Sequence, residues 1–194
     1  MKKIGLLVWL AFTTCQYVNA QLVWTADKRH SQVKFSVTHM TIANVDGKFA
    51  QFECTVASKD ETFVDAQIFF SADAKSISTD DADRDNHLRG AEFFDAAKYP
   101  NLVFKGTSFK KVAAKKYKLT GDLTIKDVTK PVTFDVTFNG IMKDGFGTKK
   151  AGFRATTAIN RLVYGLVWNK ILDAGGLTVG NDVAITIDLE LMEQ

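Results

Sequence analysis

The feature that most constrains this chain is a hydrophobic period of two, repeated segment after segment. Val33, Phe35 and Val37 alternate with Lys34, Ser36 and Thr38, and Phe52, Cys54 and Val56 alternate with Glu53 and Thr55. The same pattern returns at Ile68, Phe70, Ala72; at Leu102, Phe104; at Tyr117, Leu119, Gly121, Leu123, Ile125; and at Val132, Phe134, Val136, Phe138. It is cleanest at the end, where Val183, Ile185, Ile187, Leu189 and Leu191 face away from Ala184, Thr186, Asp188 and Glu190. With Leu22 to Thr25 and Thr148 to Ile159, the pattern predicts about eight or nine half-buried antiparallel strands, each with one apolar face. Such faces must be buried together, in a sandwich or in a closed barrel, and closure also removes the exposed sheet edges.

Turn residues punctuate the strands. Asp46-Gly47, Asp144-Gly145 and Gly180-Asn181-Asp182 read as reversals, and Asp127 to Lys130 precedes Pro131 at a strand start, where a missing N–H costs least. Two segments break the alternation: Asp80 to Tyr99, with Leu88, Ala91 and Phe94 at helical spacing, and Leu162 to Leu172, with Trp168 and Ile171. Both are expected as short helices or lids. No composition shift, linker or repeat divides the remainder, so residues 21–194 read as one domain.

The chain opens with Met1-Lys2-Lys3, runs apolar from Ile4 to Phe12, and reaches Val18-Asn19-Ala20. This is the pattern of a secretory signal peptide over residues 1–20, cleaved near Ala20, and its apolar run is too short to span a bilayer. A periplasmic or secreted destination follows. Two lysines and no acid leave with the leader, so the working protein is nearer neutral than the whole chain's +3, and no dense Lys/Arg stripe suggests nucleic acid. Beyond the leader only Cys54 remains, on an apolar strand face, so the fold must rest on its core and the thiol should be buried and inert. Outward-facing Phe69 and the strand edges leave room for a homodimer.

The 15 phenylalanines, many at inward parity beside small residues such as Ala50, Ala66, Ala72 and Gly121, could tile a solid core or line an apolar tunnel. An interior of about eight strands suits either. His39 ends the inward stripe of Val33, Phe35 and Val37, which places a polar group at one end of that interior. No Gly-x-Ser-x-Gly, His-Glu-x-x-His, Cys-x-x-Cys or Gly-rich phosphate loop supports catalysis, metal or haem chemistry. His39, His87 and Cys54 lack the local spacing of a metal set.

Four blocks, in order, resemble one family. They are "WTADKRHSQVKFSVTHM…VDGKF", "DRDNHLRGAEFFDAAKYPNLVFKG", "LTGDLTIKDVTKPV" and "INRLVYGL…VGNDVAITIDLEL". Together they are similar to the YceI-like family of exported, lipocalin-like, polyisoprenoid-binding proteins. The resemblance implies an all-β, antiparallel lipocalin-like β-barrel of about eight strands, with one or two short helical lids and an elongated apolar cavity. It tips the phenylalanines toward a tunnel lined by Phe35, Val37, Phe52, Phe70, Leu88, Phe94, Phe104, Leu119, Leu123, Phe134, Val136, Trp168 and Ile171. It assigns His39, Arg84 and His87 to a ligand head group, although the aspartates around Arg84 offer an ion pair or helix cap instead. Val163 stands where the family commonly has an aspartate, which leaves Arg161 without that partner. The implied cargo is an isoprenoid, quinone-like or fatty amphiphile held without catalysis and without a cofactor. The alternative is a periplasmic enzyme acting on such a lipid in the same barrel.

Overall fold

The computed structural model describes residues 21–171 and 177–194. The leader expected at residues 1–20, and Leu172 of the second lid, lie outside the described residues. Eleven strand segments form: β1 (Leu22–Ala26), β2 (Gln32–His39), β3 (Ala43–Phe49), β4 (Phe52–Ser58), β5 (Gln67–Asp73), β6 (Ile77–Ser78), β7 (Asn101–Ala113), β8 (Lys116–Ile125), β9 (Val128–Lys143), β10 (Lys149–Asn160) and β11 (Val179–Glu193). A single helix, α1 (Ala82–Arg89), lies between β6 and β7 among the described residues.

The sheet closes as an eight-stranded antiparallel barrel. Its order is β1-β4-β5-β7-β8-β9-β10-β11, and β11 pairs back onto β1. β11 is long enough to serve two partners: its last residues pair with β1 (Ala26 opposite Leu191) and its first with β2 (His39 opposite Val179). β1 and β2 therefore run as one bent strand along β11, with β3 and β6 continuing the sheet beyond β2.

The bend is fastened by charge. Lys150 Nζ lies 2.8 Å from Asp27 Oδ2 and 2.9 Å from Glu190 Oε1, and His30 Nδ1 is 2.9 Å from the same Asp27 oxygen. Ser31 Oγ donates to the Glu190 carbonyl and accepts from the Glu190 N–H. Asp27, His30 and Glu190 offer ligand atoms within 4.8 Å of one another. The Lys150 ammonium already rests on both carboxylates, so the group is a four-residue latch.

The phenylalanines divide between a plug and a cavity wall. At the barrel end where β9 meets β10, Phe138 stacks on Phe153 at 5.0 Å, Phe63 meets Phe153 edge-on at 5.0 Å and Phe138 at a tilt at 5.7 Å, Trp24 lies 5.2 Å from Phe63, and Phe109 stacks on Tyr117 at 4.7 Å. The polar tips are satisfied: Trp24 Nε1 donates to Ser58 Oγ and Tyr117 OH donates to the Thr62 carbonyl. Phe63 is the unexpected member. It sits in the β4–β5 loop at φ 59, a left-handed backbone that its near-complete burial must sustain.

Several turn expectations fail. Asp46-Gly47 lies inside β3, where Gly47 pairs with Phe35. A Cβ at Gly47 would collide with the Phe35 ring, so this glycine makes room for an aromatic and bends nothing. The reversal falls instead at Met40-Thr41, both left-handed at φ 51 and 63. Gly180-Asn181-Asp182 forms an irregularity within β11, while Asp144-Gly145 does turn the chain between β9 and β10. Pro131 lies inside β9 opposite Asp122, on a stretch that β10 does not reach, so its missing N–H breaks no second ladder. Ala50 is exposed, whereas Ala66 and Ala72 are buried.

The first expected lid contains α1, started by Asp81, whose side chain accepts from the Arg84 N–H at 3.0 Å, and ended at Gly90. Residues beyond Gly90 fold as turns. The second is a 3₁₀ turn, Arg161–Tyr164, capped by Asn160 and closed by Gly165 at φ 76.

Two predictions follow from this packing. Phe153→Ala removes a ring at the centre of the plug and should lower the unfolding free energy by about 3–5 kcal/mol in denaturant titrations; a loss below ~1 kcal/mol would show the plug to be loosely packed. Hydrogen bonds from Lys150 and then His30 hold the Asp27 carboxyl well below the usual carboxylate range. The folded state thus binds that proton more weakly than the unfolded chain, and the resulting stability, present above about pH 4, is lost as pH falls through the lowered value. Asp27→Asn should flatten the acid limb of the stability curve below about pH 4, and an unchanged slope would assign acid sensitivity elsewhere.

Candidate functional site

Above the plug the barrel is hollow. A cavity of about 180 Å³ runs between the inward faces of β2, β5, β7, β8 and β11, and its exposed lining is wholly apolar. It arises because small residues on the wall face rings they cannot fill out: Ala72 and Ala155 line it beside Phe70, Phe104 and Phe134. Leu88, at the end of α1, and Phe93 and Phe94 just after it, close one side.

The residues expected to line this space fall into three groups. Phe35, Val37, Phe70, Leu88, Phe94, Phe104, Leu119, Leu123 and Phe134 do line it. Phe52 and Val136 do not: Phe52 is buried in a second core, stacked 6.1 Å from Phe70, and Val136 is buried between Tyr117 and Ala155 at the plug. Ile171 is the third correction, standing 83 % exposed beyond the 3₁₀ turn. Inward parity is a property of the strand, whereas reaching the cavity also depends on height along the barrel. Phe49, Phe93, Ile185, Ile187 and Leu189 contribute wall that the expected set omits. The alternation of β11 already pointed to the last three.

A wider vestibule of about 380 Å³ adjoins the cavity and shares Phe35, Val37, Leu88, Phe93 and Val179 with it. His39, Arg84 and His87, the expected head-group residues, all line this vestibule; Trp168, expected in the cavity wall, lines the vestibule instead. They are unequal in freedom. Arg84 donates through Nε to Thr79 Oγ1 (2.7 Å) and through Nη2 to the Thr79 carbonyl (2.9 Å), with Asp81 3.6 Å from Nη1. Thr79 is in turn held by buried Asp85, so Arg84 braces the lid. His87 Nε2 meets Glu92 at 2.8 Å, and the ring stands edge-on to Phe93 and Trp168, each at 5.0 Å. The His39 carbonyl accepts from the Ile42 N–H, but its imidazole makes no hydrogen bond among the described residues and is available at the mouth.

Arg161 is the residue that motif reading left without a role. It is only 3 % exposed and borders the cavity, yet no carboxylate meets it among the described residues. Its guanidinium donates to four carbonyls: Gly180 from Nε, Leu166 and Trp168 from Nη1, and Val179 from Nη2. Burial alone pushes its pKa down. The fork ties the irregular segment after the 3₁₀ turn to the start of β11, and Asn169 adds two bonds to the Val179 backbone. Val163, in the position the resemblance reserves for an acid, is half exposed. Cys54 lines the cavity as a buried thiol whose pKa burial pushes up to about 12, consistent with an inert group.

A closed antiparallel β-barrel, plugged at one end and hollow at the other, defines the class as lipocalin-like. The YceI-like domain model matches residues 24–191, and the chain belongs to the YceI-like family. A UPF0312 protein of Staphylococcus aureus strain USA300 is 34 % identical over 168 residues, covering 86 % of this chain and 95 % of the relative. The crystal structure of the Campylobacter jejuni YCEI protein is similar at TM-score 0.67 and 27 % identity, over 81 % of this chain and 90 % of that one. The Burkholderia cenocepacia BcnA structure shares the fold at TM-score 0.72 and 24 % identity, over 85 % and 98 % of the two chains. A polyisoprenoid binding domain from Saccharophagus degradans shares it at TM-score 0.66 and 14 % identity, over 89 % and 99 %.

Because Arg161 satisfies four carbonyls of the rim, Arg161→Met should cost about 1–3 kcal/mol for each buried acceptor it orphans. Hydrogen exchange should accelerate in residues 166–171 and 177–180 while the plug stays protected. Unchanged exchange at the rim would show that Asn169 suffices.

Proposed function

We propose that this protein binds a long-chain amphiphile, of polyisoprenoid, quinone-like or fatty character, and carries or stores it unchanged outside the cytoplasm. The observation that carries this reading is the division of polarity: a cavity deep in the barrel whose accessible wall is apolar, its bordering Arg161 being turned onto backbone carbonyls, and a vestibule where His39, Arg84 and His87 gather. The family supports it, as does the shared fold of a structure described as a polyisoprenoid binding domain. At ~0.8 kcal/mol per buried CH₂, about ten chain carbons yield a gross ~8 kcal/mol, part of which offsets the lost freedom of the chain. Micromolar or tighter binding is the expected scale. Arg84 and His87 are engaged by Thr79 and Glu92, so His39 is the group offered to a head-group oxygen. The leader pattern in residues 1–20 supports a site in the periplasm or outside the cell.

Native mass spectrometry and organic extraction of the purified protein should reveal a bound lipid. Phe134→Asp, which puts a charge in the wall, should abolish its retention, and Ala155→Phe, which fills space without adding polarity, should do the same in a folded barrel. Lipid retained by both variants would overturn the reading. Turnover of a lipid or quinone that is lost in His39→Ala while binding persists would replace the carrier with an enzyme.

A further inference from the structure

The mouth of the barrel carries an apolar rim that the cavity does not use. Three short stretches lie side by side there. Met40 N–H donates to the Thr178 carbonyl at 2.9 Å, Thr178 N–H donates to the Lys170 carbonyl at 3.0 Å, and Ile171 bridges to Leu177. The β2–β3 turn, the start of β11 and the chain after Trp168 thus form one continuous apron. Ile42 is 84 % exposed on it, Ile171 83 % and Val167 65 %, with Met40 and Leu177 more than a third exposed. Burial would cover such side chains in any solid interior; here they face water together.

Their position gives them meaning. His39, Trp168, Thr178 and Val179 belong to the same stretches and line the vestibule. Apolar surface therefore continues from the cavity wall through Phe35, Val37 and Val179 to the apron. A chain leaving the barrel meets water only if nothing covers that rim.

We propose that the apron docks on a lipid bilayer, so that the amphiphile passes between membrane and cavity without crossing water. This rests on the carrier reading. Two observations select a bilayer as the occupant. Cargo for a wholly apolar cavity partitions into membranes, so the opening that admits it must face one. Among the described residues of 40–42, 167–171 and 177–179 the ionisable group is Lys170, a cation that suits interfacial phosphates; Asp173, in the connection between Ile171 and Leu177, lies outside the described residues. The exposed Phe146 on the β9–β10 turn and Met142 at the end of β9 line neither the cavity nor the vestibule, and serve as an internal control.

Flotation with vesicles of phosphatidylethanolamine and phosphatidylglycerol should carry the native protein upward. The double variant Ile42→Asp with Ile171→Asp should float about tenfold less, and Phe146→Asp as well as native. Binding of farnesol from solution, read by Trp168 fluorescence, should be unchanged in the double variant, while uptake of a dansyl-labelled isoprenoid from those vesicles should slow about tenfold. Farnesol binding without flotation would overturn the docking surface and leave the carrier reading intact. Flotation without farnesol binding would remove the carrier reading alone. Loss of a dimer in light scattering, without loss of flotation, would give the apron to a second copy of the chain and overturn the proposal.

Discussion

Everything in this molecule depends on the double pairing of β11. Its last turn of residues closes the barrel against β1, and its first part holds β2 and, through β2, the outer strands β3 and β6. The two partners are joined by a sharp bend, where Lys150 spans Asp27 and Glu190 from the neighbouring β10. Without that bend β2 could not continue along β11 to the mouth. The vestibule would then lose His39, and the apron would lose Met40 and Ile42.

Closure creates a space that strand parity alone cannot apportion. An eight-stranded interior is just wide enough for side chains to fill or for one ligand to enter. This chain does both, at different heights. Trp24, Phe63, Phe109, Tyr117, Phe138 and Phe153 interlock into a solid floor, while alanines at 72 and 155 keep the upper wall from meeting across the axis. The floor is stiff enough to hold Phe63 in a left-handed loop conformation. Stability is thereby concentrated at one end, and the other is released for binding.

At the open end, polar groups are arranged by structural need before chemistry. Arg84 and His87 line the vestibule, yet each is committed to a neighbour in the lid. Arg161 illustrates the same economy. A buried guanidinium without a carboxylate is costly unless its donors are satisfied, and four carbonyls of the rim do so. Its charge consequently remains beside the cavity.

The sequence by itself determined the strands and their inward apolar faces, because a period of two leaves one side of every strand with nowhere to go except a common interior. Buried Cys54 and the inward stripe ending at His39 were legible on the same ground. Only the tertiary structure decided which phenylalanines became floor and which became wall. Phe52 and Val136 share parity with Phe70 and Phe134 but sit where neighbours from other strands already fill the space. Local chemistry also misled where a remote partner set the outcome. Gly47 reads as a turn until the Phe35 ring is found lying across it, and the true reversal uses Met40 and Thr41, which no turn rule favours. Ile171 reads as cavity because it is apolar, and the structure turns it outward to the rim. Periodicity is a local property written along the chain, whereas height within a barrel is set by register between strands far apart in sequence.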